Sequence, residues 1–297
     1  MVFLFRRFLL ATAQVLAVSC LSFAMFSAAA GDFYSAATAA DPRLREGSVN
    51  ALRRRAGLDR PLPARYAAWL GSVASGEFGE SIAYHLPLRA LLGPRIRATL
   101  RVALPALAAA WVMGLLLAFA AVRFGFGSWE PGAAAVALIP DVVAVSLLLW
   151  VAVWAGLPTG TMTLPVVALA FALLPGIFLH AASSLRAAIR LEFVGLARSR
   201  GLGGARLWLR YILPAAANPL ISLAALTAAG AIGASFLVEV ITGWPGLGPF
   251  FLDAVQARDY PVVQTVIAGL AALLALCNFA ADVLLYRLDP RIRTPHV

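Results

Sequence analysis

Six runs of about twenty or more almost wholly apolar residues dominate this chain, at roughly 8–30, 100–122, 132–156, 163–182, 219–241 and 262–286. A helix of about 20 apolar residues crosses the hydrocarbon core of a bilayer. The expected fold class is therefore all-α, a polytopic membrane protein with six transmembrane helices. Proline and glycine inside the runs are compatible with this, because neighbouring helices satisfy the backbone groups they free. Composition excludes the alternatives. With 62% hydrophobic and 13% charged residues, against about 25% charged in soluble domains, the chain has too little polar surface to coat a globule in water. A disordered chain, a disulfide scaffold and an ordinary soluble enzyme are excluded on the same ground.

All 24 basic residues are arginine, which removes Schiff-base chemistry and the lysine of a phosphate-binding loop. Cys20 and Cys277 sit in separate apolar runs, and no disulfide is expected between them. Val18-Ser19-Cys20 has the small residue of a lipoprotein processing site, but the apolar run continues past it. The first run ends in Ser27-Ala28-Ala29-Ala30, which has the look of a cleavage site. It is longer than the ~7–15 apolar residues of a signal core, so a retained helix is expected.

Six spans put both termini on one side, and arginine in short connections indicates which. The fourth connection carries Arg186, Arg190, Arg198, Arg200, Arg206 and Arg210 against Glu192. The ends carry Arg6, Arg7, Arg287, Arg291 and Arg293, whereas the opposite short connections hold only Arg258. Both termini are thus expected in the cytoplasm. Residues 31–99 are arginine-rich as well (Arg43, Arg45, Arg53, Arg54, Arg55), but long translocated segments escape the charge rule. The expected organisation is a first transmembrane helix at 1–30, an extracytoplasmic segment at 31–99, and a five-helix core at 100–297 with a cytoplasmic loop at about 183–213. Within 31–99, the turn Leu58-Asp59-Arg60-Pro61-Leu62-Pro63 precedes a short helix over 64–73, with Tyr66, Trp69, Leu70 and Val73 near one face. That helix reads as a cap on the bundle, a docking surface for a soluble partner, or both.

Catalytic equipment is not evident. His85, His180 and His296 are isolated from other ligand-type residues, so no metal site is expected, and no Gly-x-Ser-x-Gly elbow occurs. Glu239 and Asp282 lie near span ends, where solvated or capping roles are expected. Asp141 follows Pro140 well inside the third run. An ionisable group there is a functional-site candidate, either contacting cargo along a central path or hydrogen-bonded to a neighbouring helix and stabilising a proline kink.

The most informative segment is Glu192-Phe193-Val194-Gly195-Leu196-Ala197-Arg198-Ser199-Arg200-Gly201-Leu202. An acid suits the positive end of a short helix, and Gly201 suits a left-handed stop. A second amphipathic stretch, 205–212, follows before Pro214. On spacing alone this is either a solvated loop or a rigid knob for a partner.

An acid, four residues, Ala-Arg, two residues and Gly resembles the EAA coupling loop of ABC importer permeases. Further motifs are similar to the dipeptide/oligopeptide permease family: Gly57 to Pro63; Glu239-Val240 leading to Trp244-Pro245-Gly246-Leu247-Gly248; Arg258 to Gln264; and Leu288-Asp289-Pro290-Arg291-Ile292-Arg293. The long segment after the first span resembles the B-like subunit. Two features depart from the pattern: Ala30-Gly31-Asp32-Phe33 replaces the usual Pro-Gly-Asp-Pro turn, and Asp141 stands where the family usually has an uncharged residue.

The resemblance implies a permease subunit, with no catalytic role, of an ATP-driven importer in a bacterial inner membrane, of the type I fold. It would carry peptides or related small solutes. Partners would be a second, different permease subunit, two cytoplasmic ATPase subunits holding ATP and Mg, and an extracytoplasmic solute-binding protein. The chain itself would bind no cofactor and no nucleic acid. The residues matching the coupling loop are Glu192, Ala197, Arg198, Arg200, Gly201 and Leu202. Those matching an outer gate or binding-protein docking face are Glu239, Trp244, Pro245, Gly246 and Gly248. An ATP-independent transporter or channel, or a membrane-embedded enzyme, remains as the rival reading. The first often shows internal repeats and the second a catalytic constellation, and neither is evident here.

Overall fold

The computed structural model describes residues 2–28, 59–125 and 129–288. The arginines of 43–55, the start of the Gly57 motif, the Ala30–Phe33 turn, the tail from Asp289 and His296 lie outside the described residues.

The described chain is helical apart from an isolated bridge between Glu80 and Pro87. Its elements are α1 (Val2–Ala28), α2 (Leu62–Ala74), α3 (Leu88–Phe124), α4 (Trp129–Ala137), α5 (Asp141–Trp154), α6 (Thr163–Ile189) and α7 (Glu192–Ser199). Next, α8 (Gly204–Leu207) runs through a π-helical turn (Trp208–Ile212) into α9 (Leu213–Thr242), followed by α10 (Leu247–Gln256) and α11 (Tyr260–Leu288). Five helical stretches are long and apolar enough to cross a membrane: α1, α3, α6, α8 through α9, and α11. A sixth crossing requires the pair α4 and α5, which is bent by 98°.

That bend corrects the expected continuous third span. Pro140 does not kink a helix; it is the residue before α5, with φ −57° and ψ 137°, and Asp141 is the first helical residue. Proline lacks the N–H that a helix interior needs, and its fixed φ suits a helix start. Asp141 is therefore an exposed residue at a helix N-terminus, where its charge meets the positive end of the backbone dipole.

The second run is also more than a span. α3 has 37 residues, about 55 Å at 1.5 Å per residue, well beyond the hydrocarbon thickness. Arg89, Arg95, Arg97 and Arg101 end the apolar run without ending the helix, because arginine is a good helix former. The packing face of α3 is a ladder of small residues, Ala106, Ala110, Gly114 and Ala118, all buried. These let α6 approach so closely that a Cβ on Gly114 would stand 2.7 Å from the Ile177 side chain. Small residues at the contact are how apolar helices gain packing in lipid, where burial itself supplies no drive.

Sparse polar bonds tie the other helices. The Trp111 indole on α3 donates to Thr227 on α9 at 3.0 Å. Ser22 on α1 donates to Gln264 on α11 at 2.8 Å, and the Gln264 amide donates to the Ser19 carbonyl at 2.8 Å. Arg7 pairs with Asp282 at 3.2 Å, so Asp282 binds α1 to α11. Helix α2 lies against α1 through Tyr66, whose hydroxyl is 2.7 Å from that of Ser19 and whose ring is 5.5 Å from Phe23. Cys20 and Cys277 are both free thiols.

Candidate functional site

Two constellations stand at opposite ends of α3. At the Arg123 end, an alanine-rich cluster joins Ala118 and Ala121 of α3, Ala182, Leu185 and Ala188 of α6, and Ile212 and Ala216 at the start of α9. α7 stands on this cluster through Val194 and Ala197, 0% and 5% exposed. Those positions are three apart and share one helix face. Leu207 fills the angle between α7 and α9, and Trp208 packs edge-on to Phe119 at 4.7 Å.

The end of α7 is a complete left-handed stop. Gly201 has φ +80°; its N–H donates to the Arg198 carbonyl at 2.9 Å, and the Leu202 N–H reaches back to the Ala197 carbonyl at 3.1 Å. These are the two bonds of a Schellman motif, and Leu202 packs on the same cluster as Ala197. The small side chain of Ala197 thus serves internal packing. What α7 presents outward is Glu192, Arg198 and Arg200, together with Phe193 (46% exposed) and Leu196 (60%). That apolar pair escaped the sequence reading. Its signal was available in the spacing, because 194 and 197 define the buried face and leave 193 and 196 on the other. Beside the cluster, Arg186 of α6 pairs with Glu130 of α4, linking the bent pair to the helix that leads into α7.

At the Leu88 end, the motif from Glu239 to Gly248 folds back on itself. Glu239 is fully buried, which corrects the expectation of a solvated or capping acid. Its Oε2 accepts the Gly248 N–H at 2.7 Å. The Leu247 N–H donates to the Thr99 hydroxyl at 2.8 Å, and the Trp244 indole donates to the Ala98 carbonyl at 3.0 Å. Both glycines are required by close approach: a Cβ on Gly246 falls on the Glu239 carboxylate, and one on Gly248 falls on the Phe236 backbone. Four of the five residues expected at an outer gate therefore form an internal clasp between α3 and α9, with Gly246, Gly248 and Glu239 buried and Trp244 half-buried. Only Pro245 of that set is exposed.

Asp259, which the sequence placed only within a motif, builds the adjoining joint. It is fully buried and accepts from the Ser81 hydroxyl and from the N–H groups of Ile82 at 3.3 Å and Ala83 at 3.1 Å. The turn before it needs a left-handed Arg258, at φ 57°. Arg95 lies over the Phe250 ring at 4.1 Å, and Tyr84 lies against the same ring. Segment 81–87, the start of α3, α10 and the start of α11 thus form one bonded unit. Asp141 belongs to neither constellation. Among the described residues no cluster of His, Cys, Asp and Glu could hold a metal ion.

A bundle of apolar helices with a short rigid helix standing on one end and a hydrogen-bonded clasp at the other has the form of a transport subunit. A family model described as "Binding-protein-dependent transport system inner membrane component" matches residues 110–294, and the model of the N-terminal part of such components matches residues 1–86. The chain belongs to this family. It is 27% identical to the oligopeptide transport system permease protein AppB of Bacillus subtilis, over 98% of each chain. It is 27% identical to the dipeptide transport system permease protein DppB of Lactococcus lactis, over 85% of this chain and 88% of the other. Among solved structures, a subunit of the MetNI methionine ABC transporter in an inward-facing conformation superposes with a TM-score of 0.55 at 18% identity, covering 68% of this chain and 98% of that one. The fold is that of the transmembrane subunit of a type I ABC importer. The chain is a multi-pass membrane transport component, and ATP hydrolysis belongs to separate subunits of such importers.

Proposed function

We propose that this chain is the B-like permease subunit of an importer for peptides or related small solutes, paired with a second, different permease subunit. Relatives named for peptide transport support the cargo class. In this reading both termini and α7 face the cytoplasm, in line with the arginines of the fourth connection. Residues 31–99 and the Glu239–Gly248 clasp lie outside, towards a solute-binding protein. Two ATPase subunits carrying ATP and Mg grip the α7 knobs of the two permeases. The chain itself binds no cofactor.

One observation carries this reading: the Schellman-ended α7 enters, through Val194 and Ala197, a buried cluster shared with the ends of α3, α6 and α9, and holds Phe193 and Leu196 outward between charged residues. The exposed apolar pair supports a docking site for a partner here, and Arg198 and Arg200 would add planar, charge-assisted contacts around it. Because α7 shares a buried cluster with the helix ends beneath it, a partner's motion would pass into the bundle as a rigid-body shift. Glu130 and Arg186 extend that shift to the bent pair carrying Asp141, a candidate for the cargo path. Leu196→Asp and Arg198→Ala, examined by co-purification with the cognate ATPase, are expected to lose the partner while inserting normally. Glu192→Ala is expected to keep partial binding and to hydrolyse ATP without transport. Full ATPase retention and wild-type transport in all three would refute the assignment. Mass spectrometry of ligands retained by the cognate binding protein tests the cargo, with peptides expected.

A further inference from the structure

A cavity of about 460 Å³ opens between α3, α9 and α11 at the Leu88 end, bordered on one side by the Thr99–Leu247 contact of the clasp. Its walls are apolar, built chiefly from Leu92, Leu100, Ile232, Leu247, Leu270 and Leu273. Ile96 and Leu100, 41% and 36% exposed, mark where it meets the surface. Two glycines keep it open: no heavy atom lies within 4 Å of a Cβ built on Gly269, and one built on Gly93 meets only the Arg97 guanidinium at 3.9 Å.

The polar groups are few and ordered along the cavity. Arg89 lines it at the first turn of α3, with the Arg97 guanidinium folded back towards Gly93. No carboxylate among the described residues pairs with either arginine. Deeper along α11 comes Thr265, 7% exposed, whose hydroxyl has no hydrogen-bond partner. Beyond it the α11 wall runs through Val266, Gly269 and Leu270 to Leu273, four helical residues per step of about 6 Å. A buried hydroxyl without a partner costs free energy that a ligand acceptor recovers.

We propose that this cavity holds an anionic diacyl phospholipid of the leaflet at the Leu88 end. The phosphate lies at Arg89 and Arg97, an ester carbonyl accepts from Thr265, and an acyl chain fills the apolar floor. Thr99 also lines the cavity, but its hydroxyl already accepts from Leu247; the order charge, one unpartnered hydroxyl, hydrocarbon matches the order of groups along such a lipid. A peptide cargo fits less well, because its amide groups would meet hydrocarbon walls without partners. The leaflet is the outer one if the orientation proposed above holds; the binding itself does not depend on that reading. A seated lipid would brace α3 and α11 next to the Thr99–Leu247 bond of the clasp.

The test uses the assembled transporter in phosphatidylcholine vesicles containing a trace of phosphatidylglycerol with a photoactivatable acyl chain. Label is expected on 92–100 of α3 and 265–273 of α11. Gly269→Phe, whose Cβ meets open space and whose ring would occupy the cavity, is expected to abolish that label while the complex still retains its ATPase. Arg89→Gln is expected to lower it about fivefold, the weight of one basic side chain at an anionic lipid surface, and to reduce the preference over the matching phosphatidylcholine probe. Equal labelling in Gly269→Phe, or equal labelling by both probes in the unaltered transporter, would overturn the proposal. So would no label in the complete complex, meaning that the second permease covers the cavity, or loss of label on addition of cargo-loaded binding protein, meaning a cargo subsite. Transport and ATPase retention, measured on the same samples, report separately on the importer assignment.

Discussion

Replacing Gly201 by valine isolates what the left-handed stop contributes. The residue stands at φ +80° and nothing lies within 4 Å of an added Cβ, so the substitution meets no clash and its cost is one of backbone conformation alone. A β-branched residue held there costs about 1–3 kcal/mol. Asparagine enters the left-handed region readily. Both Schellman bonds, at 2.9 and 3.1 Å, require that φ, so valine shifts α7 towards arrangements in which Phe193, Leu196 and Arg198 no longer stand together. Taking about 2 kcal/mol, the ratio of docking-ready to other arrangements falls roughly thirtyfold, and apparent ATPase affinity falls by up to that factor. Asparagine should stay within about threefold of the parent. The assay is titration of the labelled ATPase subunit onto the permease pair in nanodiscs. Valine binding as tightly as glycine would refute the reasoning. Equal losses for valine and asparagine would refute it too, because backbone sign would then not be the cause.

Three further outcomes follow from the opposite end and from the bent pair. Gly248→Ala drives a Cβ into the Phe236 backbone and should cost about 1–3 kcal/mol by overpacking; an unchanged melting temperature of the purified complex would contradict the clasp. Asp259→Asn weakens charge-assisted bonds worth about 1.5–3 kcal/mol. It should speed hydrogen exchange at the Ile82 and Ala83 amides at least tenfold, by the ratio those energies imply, and unaltered exchange would show that the joint is held by other contacts. Asp141→Asn removes only a dipole contact of about 0.3–1 kcal/mol, so assembly and basal ATP hydrolysis should persist while transport falls; undiminished transport would remove Asp141 from the cargo path.

Much of this architecture is written locally. A run such as 163–182 must be a helix in a bilayer because each backbone group needs a partner and lipid supplies none. Gly201 reads as a left-handed stop because only a residue without a Cβ sits there at no cost. The segment from Glu192 was therefore legible as a short helix ending in glycine. The third span was misread because apolar length says nothing about continuity: Pro140 starts a helix as readily as it bends one, and 132–156 alone does not decide between them.

Direction and burial needed the tertiary structure. Whether Ala197 faces a partner or the bundle depends on the buried cluster it joins with Ala118, Ala182 and Ile212 from other parts of the chain. The burial of Glu239 depends on the turn nine residues later and on Thr99, 148 residues before Leu247. The cavity beside α11 is lined by Gly93 and Gly269, far apart in the chain, and neither glycine fills it. Bilayer thickness and backbone hydrogen bonding act on each segment separately, so the sequence by itself determined which stretches are helices and where α7 must stop. Close packing acts between segments distant in the chain, and it alone decided which faces those helices bury, which acids lose their water, and which apolar side chains remain exposed.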